Sequence, residues 1–108
     1  MRAELEALGE VLRVHDSAVA DSVDAALLGP AGDLEVFLVS NTLWGGAGSI
    51  ADQAGMPQSQ EAAWSRDVRR RIEAALILLG DAQIAAGVVN PRTQGWVEVF
   101  REWQRRGI

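Results

Sequence analysis

The fold class is decided by residues 64–79, which read WSRDVRRRIEAALILL. Apolar side chains recur there at intervals of three and four residues, the spacing of one face of an α-helix. We therefore expect a long helix that begins near Ser59, with Ser59 or Gln60 as its cap and Glu61 in its first turn. It should end at Gly87, and Gly80 should bend or divide it because glycine weakens a helix interior. The core positions predicted by this spacing are Trp64, Val68, Ile72, Ala75, Leu76 and Leu79, with Arg66, Arg69 and Arg70 mostly off the stripe.

Two helices are predicted before this one, near the start of the chain. Residues 3–14 place Leu5, Leu8 and Leu12 on one helical face. Asp16 is typical of the residue that caps the start of a helix. The second helix should run from there to Gly29-Pro30, a pair that ends helices.

Residues 34–39 are ambiguous, because a short β-branched run suits a buried strand as well as a helix. We favour a helix from Asp33 to about Leu43, capped by Asp33. A single strand would find no partner elsewhere in the chain for its backbone hydrogen bonds.

The last helix is predicted to start at Asn90-Pro91, a capping residue followed by a first-turn proline. Its core face should contain Trp96, Val99, Phe100 and Trp103, of which Trp103, like Trp44, is a candidate to expose one edge. The sequence thus predicts an all-α fold: one domain, residues 1–108, built as a bundle of about five helices with a glycine-rich corner at 45–48.

Composition narrows the chemistry that the chain can perform. Of its 108 residues, 48% are hydrophobic, none is cysteine and His15 is the one histidine. Disulfides and thiolate metal sites are therefore excluded, and a Ser-His-Asp triad is hard to build. We expect no catalytic residues, no metal and no cofactor. The first residues lack the apolar core of a signal peptide and no apolar run could span a bilayer, so we expect a cytoplasmic protein without membrane contact.

The charges are unevenly distributed along the chain. Residues 1–65 contain ten acids and two arginines, a net charge of −8, whereas residues 66–108 contain five acids and eight arginines, a net charge of +3. The overall charge of −5 disfavours nucleic acid as a partner. The acidic half could pair with the basic half within one fold, or between two copies.

The glycine corner is the stretch with most functional interest. Residues 44–52 read WGGAGSIAD, and Ser49 with Asp52 resembles the reciprocal capping pair that starts a helix. Backbone N–H groups from Gly46 to Ile50 could bind an anion at this helix start. The same residues also suit a structural corner that lets Trp44 fold beneath the loop, and this interpretation is favoured. Asn41 could support the loop from below or line a pocket with Ser49 and Asp52. The candidate binding residues are Asn41, Trp44, Gly45, Gly46, Gly48, Ser49 and Asp52.

This corner resembles that of a family of small uncharacterised bacterial all-helical proteins. In that family a typical corner reads Phe-Gly-Gly-Met-Gly-Ser-Phe-Asn-Asp-Leu. The chain keeps an aromatic residue, three glycines, the serine and the aspartate, and differs at Ala51 and Gln53. The resemblance covers about ten residues strongly, and implies a small helical domain of unknown function.

These observations favour a noncatalytic module that binds another protein or a second copy of itself. A toxin-neutralising immunity role is one form of that hypothesis, by analogy with other small acidic domains. The alternative is a small-molecule or anion binder that uses the glycine corner.

Overall fold

The computed structural model describes residues 1–55 and 64–107. Within them the chain forms helices and no strand, which confirms the all-α prediction, including a helix rather than a strand at 34–38. The described residues contain one helix more than the approximate five expected. These are α1 (Arg2–His15), α2 (Ser17–Leu28), α3 (Ala31–Leu38), α4 (Ile50–Ala54), α5 (Arg66–Ala86) and α6 (Thr93–Arg106).

The first two helices follow the sequence prediction closely. Leu5, Leu8 and Leu12 of α1 are fully buried. Asp16 caps α2, because its Oδ1 accepts a hydrogen bond from Val19 N at 3.2 Å. The helix ends one residue before Gly29, whose backbone is extended rather than left-handed.

The third helix is shorter than predicted and starts earlier. It begins at Ala31, with Pro30 at the capping position, so the prediction that Asp33 caps it was wrong. Its end at Leu38, rather than Leu43, has a local cause. Ser40 Oγ and Ser40 N both donate to Phe37 O, at 2.7 and 3.0 Å, and Ser40 Oγ accepts from Leu43 N at 3.3 Å. Such side-chain bonds replace the helical pattern with a turn.

The long helix α5 begins at Arg66, with Ser65 as its cap. The predicted start at Ser59, Gln60 and Glu61 lies outside the described residues. Trp64 is buried as expected, but precedes the helix. The remaining core positions agree: Ile72, Ala75, Leu76 and Leu79 are buried and Val68 is partly buried.

Gly80 does not divide α5, which continues as one helix to Ala86 and is followed by Gly87 in the left-handed conformation (φ 72°). The glycine is needed for packing. A Cβ at this position would lie 2.3 Å from Val97 Cγ2 and 3.2 Å from a ring carbon of Trp44. Gly80 therefore allows both α6 and the glycine corner to approach α5.

The last helix starts three residues later than Asn90. Its capping position is Arg92, so the prediction that Asn90 caps α6 was wrong. Asn90 instead forms the preceding turn: its N–H donates to Thr93 Oγ1 at 3.0 Å, and its Oδ1 accepts from Arg92 N at 2.9 Å. Val97 is buried against Gly80 in place of the predicted Val99, which is 38% exposed.

Among the described helices, α5 has the most helix neighbours. It contacts α1, α4 and α6, and α2 packs against both α1 and α3. The Cα radius of gyration is 12.8 Å, as expected for a globule of this length. Within residues 1–55 and 64–107, no helix combines the length and apolar character needed to cross a bilayer.

Candidate functional site

The glycine corner is a tight turn in which backbone geometry or close packing requires a glycine at each of three positions. Gly46 and Gly48 have φ values of 76° and 84°, which side chains of L-residues rarely allow. Gly45 is buried, and a Cβ there would lie 2.3 Å from Asn41 Oδ1. The corner therefore depends on three glycines for backbone shape and close approach.

Ser49 caps α4 as predicted, but Asp52 does not accept from Ser49 N as it would in a reciprocal capping pair, because Ser49 N donates to Gly46 O. Ser49 Oγ accepts from Asp52 N at 2.9 Å, and Asp52 Oδ2 accepts from Gly48 N at 3.0 Å. Gln53 Nε2 donates to Gly48 O at 2.9 Å, which closes the loop from the same side. The side chain of Asp52 thus binds the N–H of Gly48, and the side chain of Gln53 binds its carbonyl oxygen.

Most of the backbone N–H groups that could bind an anion already donate hydrogen bonds within the chain. Gly48 N donates to the Asp52 carboxylate, Ser49 N to Gly46 O at 3.4 Å, and Ile50 N to Thr42 O at 3.0 Å. A carboxylate of the chain therefore occupies the position where an anion would bind. An open depression of about 430 Å³ remains over the corner, lined by Asn41, Thr42, Ser49 and residues 45–48.

Trp44 lies beneath the corner and is fully buried, so its ring is not part of that depression. Its indole Nε1 donates to Gln83 Oε1 at 3.1 Å, and its carbonyl accepts from Trp96 Nε1 at 3.0 Å. Of the two candidates for an exposed tryptophan edge, only Trp103 is partly exposed. Trp44 connects the corner to α5 and α6.

Asn41 supports the structure beside the loop. Its backbone O accepts from Gly45 N at 3.1 Å, and its Oδ1 accepts from Asn90 Nδ2 at 3.1 Å. Asn90 Nδ2 also donates to Val39 O at 2.9 Å. The structure thus brings together Asn41, Gly45, Gly46, Gly48, Ser49 and Asp52 at one surface, and places Trp44 below it. Ligand binding by these residues stays a prediction.

Sequence reasoning missed Gln83, which is fully buried. Its Nε2 donates to Leu38 O at 2.7 Å and to Val88 O at 2.9 Å, in addition to the bond from Trp44. The available signal was its position: Gln83 continues the α5 core stripe four residues after Leu79.

A second missed group surrounds Glu73, a carboxyl that is only 2% exposed. Burial raises its pKa to about 7, against the opposing effect of Arg69, Arg70 and Arg66. Arg69 was expected off the core stripe, yet it is buried, because it precedes Glu73 by one helical turn. A cavity of about 20 Å³ adjoins these residues and Trp103.

A third feature is an acidic groove between α1 and α2. It has a volume of about 390 Å³ and is lined by Glu6, Gly9, Glu10, Arg13, Asp24 and Leu27. Gly9 allows α1 and α2 to approach closely, since a Cβ there would lie 3.1 Å from Val23 Cγ1. Arg13 pairs with Asp21 at 2.8 Å and with Asp24, and these contacts raise the pKa of its guanidinium.

No group of His, Asp or Glu side chains in the described part of the chain is arranged to hold a metal ion. Comparisons of the chain with protein-family models, with curated proteins and with solved structures find no match. The resemblance to the bacterial family therefore stays a prediction that depends on the corner.

Proposed function

We propose that this chain is a noncatalytic interaction module that binds a basic surface of another protein. The observation that supports the proposal is the acidic excess of residues 1–65. Described ion pairs join Arg13 to Asp21 and Asp24, and Arg101 to Asp81. Because each pair lies within one half of the chain, these pairs leave the acidic excess of the first half in place.

The acidic groove is the surface that we propose for the partner. Glu6 and Glu10 are exposed, stand one helical turn apart on α1, and take part in none of these ion pairs. Like charges at this spacing cost stability, which a cationic partner would relieve. Charge complementarity of this kind speeds association and selects partners. An immunity protein that neutralises a basic toxin is one form of this function.

The proposal is tested by purifying the tagged protein at low salt from the cells that produce it, followed by native mass spectrometry. The wild type should carry a second polypeptide, and Glu6→Lys/Glu10→Lys should lose it. The matched control is Asp67→Lys/Glu98→Lys, which changes the net charge equally on α5 and α6 and should retain the polypeptide. Retention by both variants, loss by both, or a bound small molecule without any polypeptide would overturn the proposal.

Anion binding at the glycine corner is the second candidate function. The open depression there favours it, whereas the use of Gly48, Ser49 and Ile50 N–H groups within the chain opposes it. A rise in melting temperature with millimolar phosphate, sulfate or nucleotide would favour this function over the first. The absence of such a rise would exclude these ligands.

A further inference from the structure

We propose that two copies of this chain associate across a two-fold axis, through a surface formed by the second half of α3 and the segment that leads into α6. We call this surface the α3–α6 strip and define it by Glu35, Val36, Val39, Val89 and Arg92. It lies apart from the acidic groove, so this proposal is independent of the function proposed above.

Hydrogen bonds bring the two parts of the strip together. Asn90 Nδ2 donates to Val39 O at 2.9 Å, and Gln83 Nε2 bridges Leu38 O and Val88 O. The end of α3 therefore runs beside the segment that leads into α6. Val36 and Glu35 lie three and four residues before Val39, on the same side of the helix.

The centre of the strip is aliphatic and exposed. Val36 is 68% exposed, Val89 43% and Val39 37%. Scattered single apolar residues are normal on a protein surface, but neighbouring ones mark interaction sites. The described residues, 1–55 and 64–107, leave these three side chains exposed, and we infer that they form one ridge.

Asn90 accepts from Arg92 N and donates to Val39 O, so a depression that Arg92 borders lies near Val39 and would receive the ridge of a second copy. This depression has a volume of about 390 Å³ and is lined by Arg92, Gly95, Trp96 and Val99. Its floor is rigid, since Trp96 Nε1 donates to Trp44 O at 3.0 Å and the Trp96 ring stacks on Phe100 at 5.2 Å. Gly95 leaves space, because nothing lies within 4 Å of the position of a Cβ there. A two-fold axis would place the ridge of each copy in the depression of the other.

The charges at the ends of the strip complement one another under this symmetry. Glu35 borders the ridge and Arg92 borders the depression. Both are exposed, and neither takes part in the described ion pairs. When the ridge of one copy enters the depression of the other, Glu35 of each copy approaches Arg92 of its partner. This complementarity favours a second copy over an unrelated apolar partner.

Sedimentation equilibrium and native mass spectrometry test the proposal. The wild type should dimerise, and Glu35→Arg alone or Arg92→Glu alone should weaken the dimer by about tenfold or more, since each change creates two repulsive contacts. A mixture of the two variants should restore wild-type affinity as a heterodimer, because each Arg then meets a Glu on the other copy. Only a contact between copies predicts this recovery.

Two further variants address the apolar part of the strip. Val36→Asp should abolish the dimer, whereas Leu78→Asp, at a residue 62% exposed on α5, should leave it intact. Circular dichroism establishes that each variant keeps its helices. A monomeric wild type, equal behaviour of Val36→Asp and Leu78→Asp, or a mixture without heterodimer would overturn the proposal. The Glu6→Lys/Glu10→Lys variant should dimerise normally. The dimer and the binding of a basic partner at the acidic groove are therefore tested independently of each other.

Discussion

Trp44 Nε1 donates to Gln83 Oε1 at 3.1 Å, although 39 residues separate the two side chains along the chain. Both side chains are completely buried. The amide nitrogen of Gln83 binds two backbone carbonyls from different segments, at Leu38 and Val88. The side-chain amide of Gln83 therefore provides hydrogen-bond partners for the corner, the end of α3 and the segment after α5. Without it, these buried polar groups would lose that partner, which would lower the stability of the fold.

Gln83→Leu should lower the free energy of unfolding by about 2–4 kcal/mol, because it leaves one buried N–H and two carbonyls without that partner. Urea unfolding measures the change. Gln94→Leu is the control, since the exposed Gln94 amide contacts only Glu98 among the described hydrogen bonds and its loss should change stability by less than about 0.5 kcal/mol. Equal stability of the two variants would contradict the central role of Gln83.

Gly80→Ala should destabilise the protein by about 1–3 kcal/mol, even though alanine is the better helix former. The added Cβ would lie 2.3 Å from Val97 Cγ2, so α6 must move away from α5. Gly32→Ala in α3 is the control, because nothing lies within 4 Å of the new Cβ there. Thermal unfolding of both variants should give shifts of opposite sign, or no shift for Gly32→Ala. A stabilised Gly80→Ala protein would show that the two helices adapt freely.

Glu73→Gln should change the pH dependence of stability. The folded-state pKa of Glu73 is raised from about 4.5 to about 7, so the folded protein binds the proton more tightly than the unfolded chain does. Wild-type stability should therefore fall relative to Glu73→Gln as pH rises from about 4.5 to about 7, by on the order of 2–3 kcal/mol, and stay level above that range.

The measurement for Glu73 is denaturant unfolding of both proteins at several pH values. The control is Glu98→Gln, which makes the same substitution at an exposed carboxyl. A difference between wild type and Glu73→Gln that is constant with pH would contradict the raised pKa.

Ser49→Ala should lower the free energy of unfolding by about 1 kcal/mol, since it removes the acceptor for Asp52 N. Gly46→Ala should cost about 1 kcal/mol or more, because alanine is strained at φ 76°. If the corner is structural, both variants unfold at lower temperature without ligand. If it binds an anion, the same variants also lose a ligand-induced rise in melting temperature that the wild type shows.

The sequence predicted the helices whose signals are local. Asp16 and Ser49 have the capping bonds that their positions indicated, and the α5 stripe is buried from Ile72 to Leu79. Asp33 and Asn90 carry the same kind of signal, but neighbouring residues compete for the same backbone groups. Pro30 starts α3 earlier, and the bonds between Asn90, Arg92 and Thr93 make a turn before α6.

At the candidate site, the local part of the geometry was predictable and the long-range part was not. Ser49, Asp52 and the glycines interact within eight residues, so spacing was sufficient to place them. The contacts of Trp44 with Gln83 and of Asn41 with Asn90 join distant segments. No periodicity indicates such pairs, because they depend on how the helices pack. The burial of Glu73 could not be predicted from the sequence for the same reason, because it also depends on how the helices pack.

The bonds of Gln83 have a consequence for local opening. Because its amide is shared, the corner and the segment around Val88 cannot separate from α5 without breaking the same group of hydrogen bonds. Amide hydrogen exchange in these segments should then follow one common opening event, slower than fraying at the ends of α1 and α6. The two loops that flank the α3–α6 strip would behave as one cooperative unit, despite their distance along the chain.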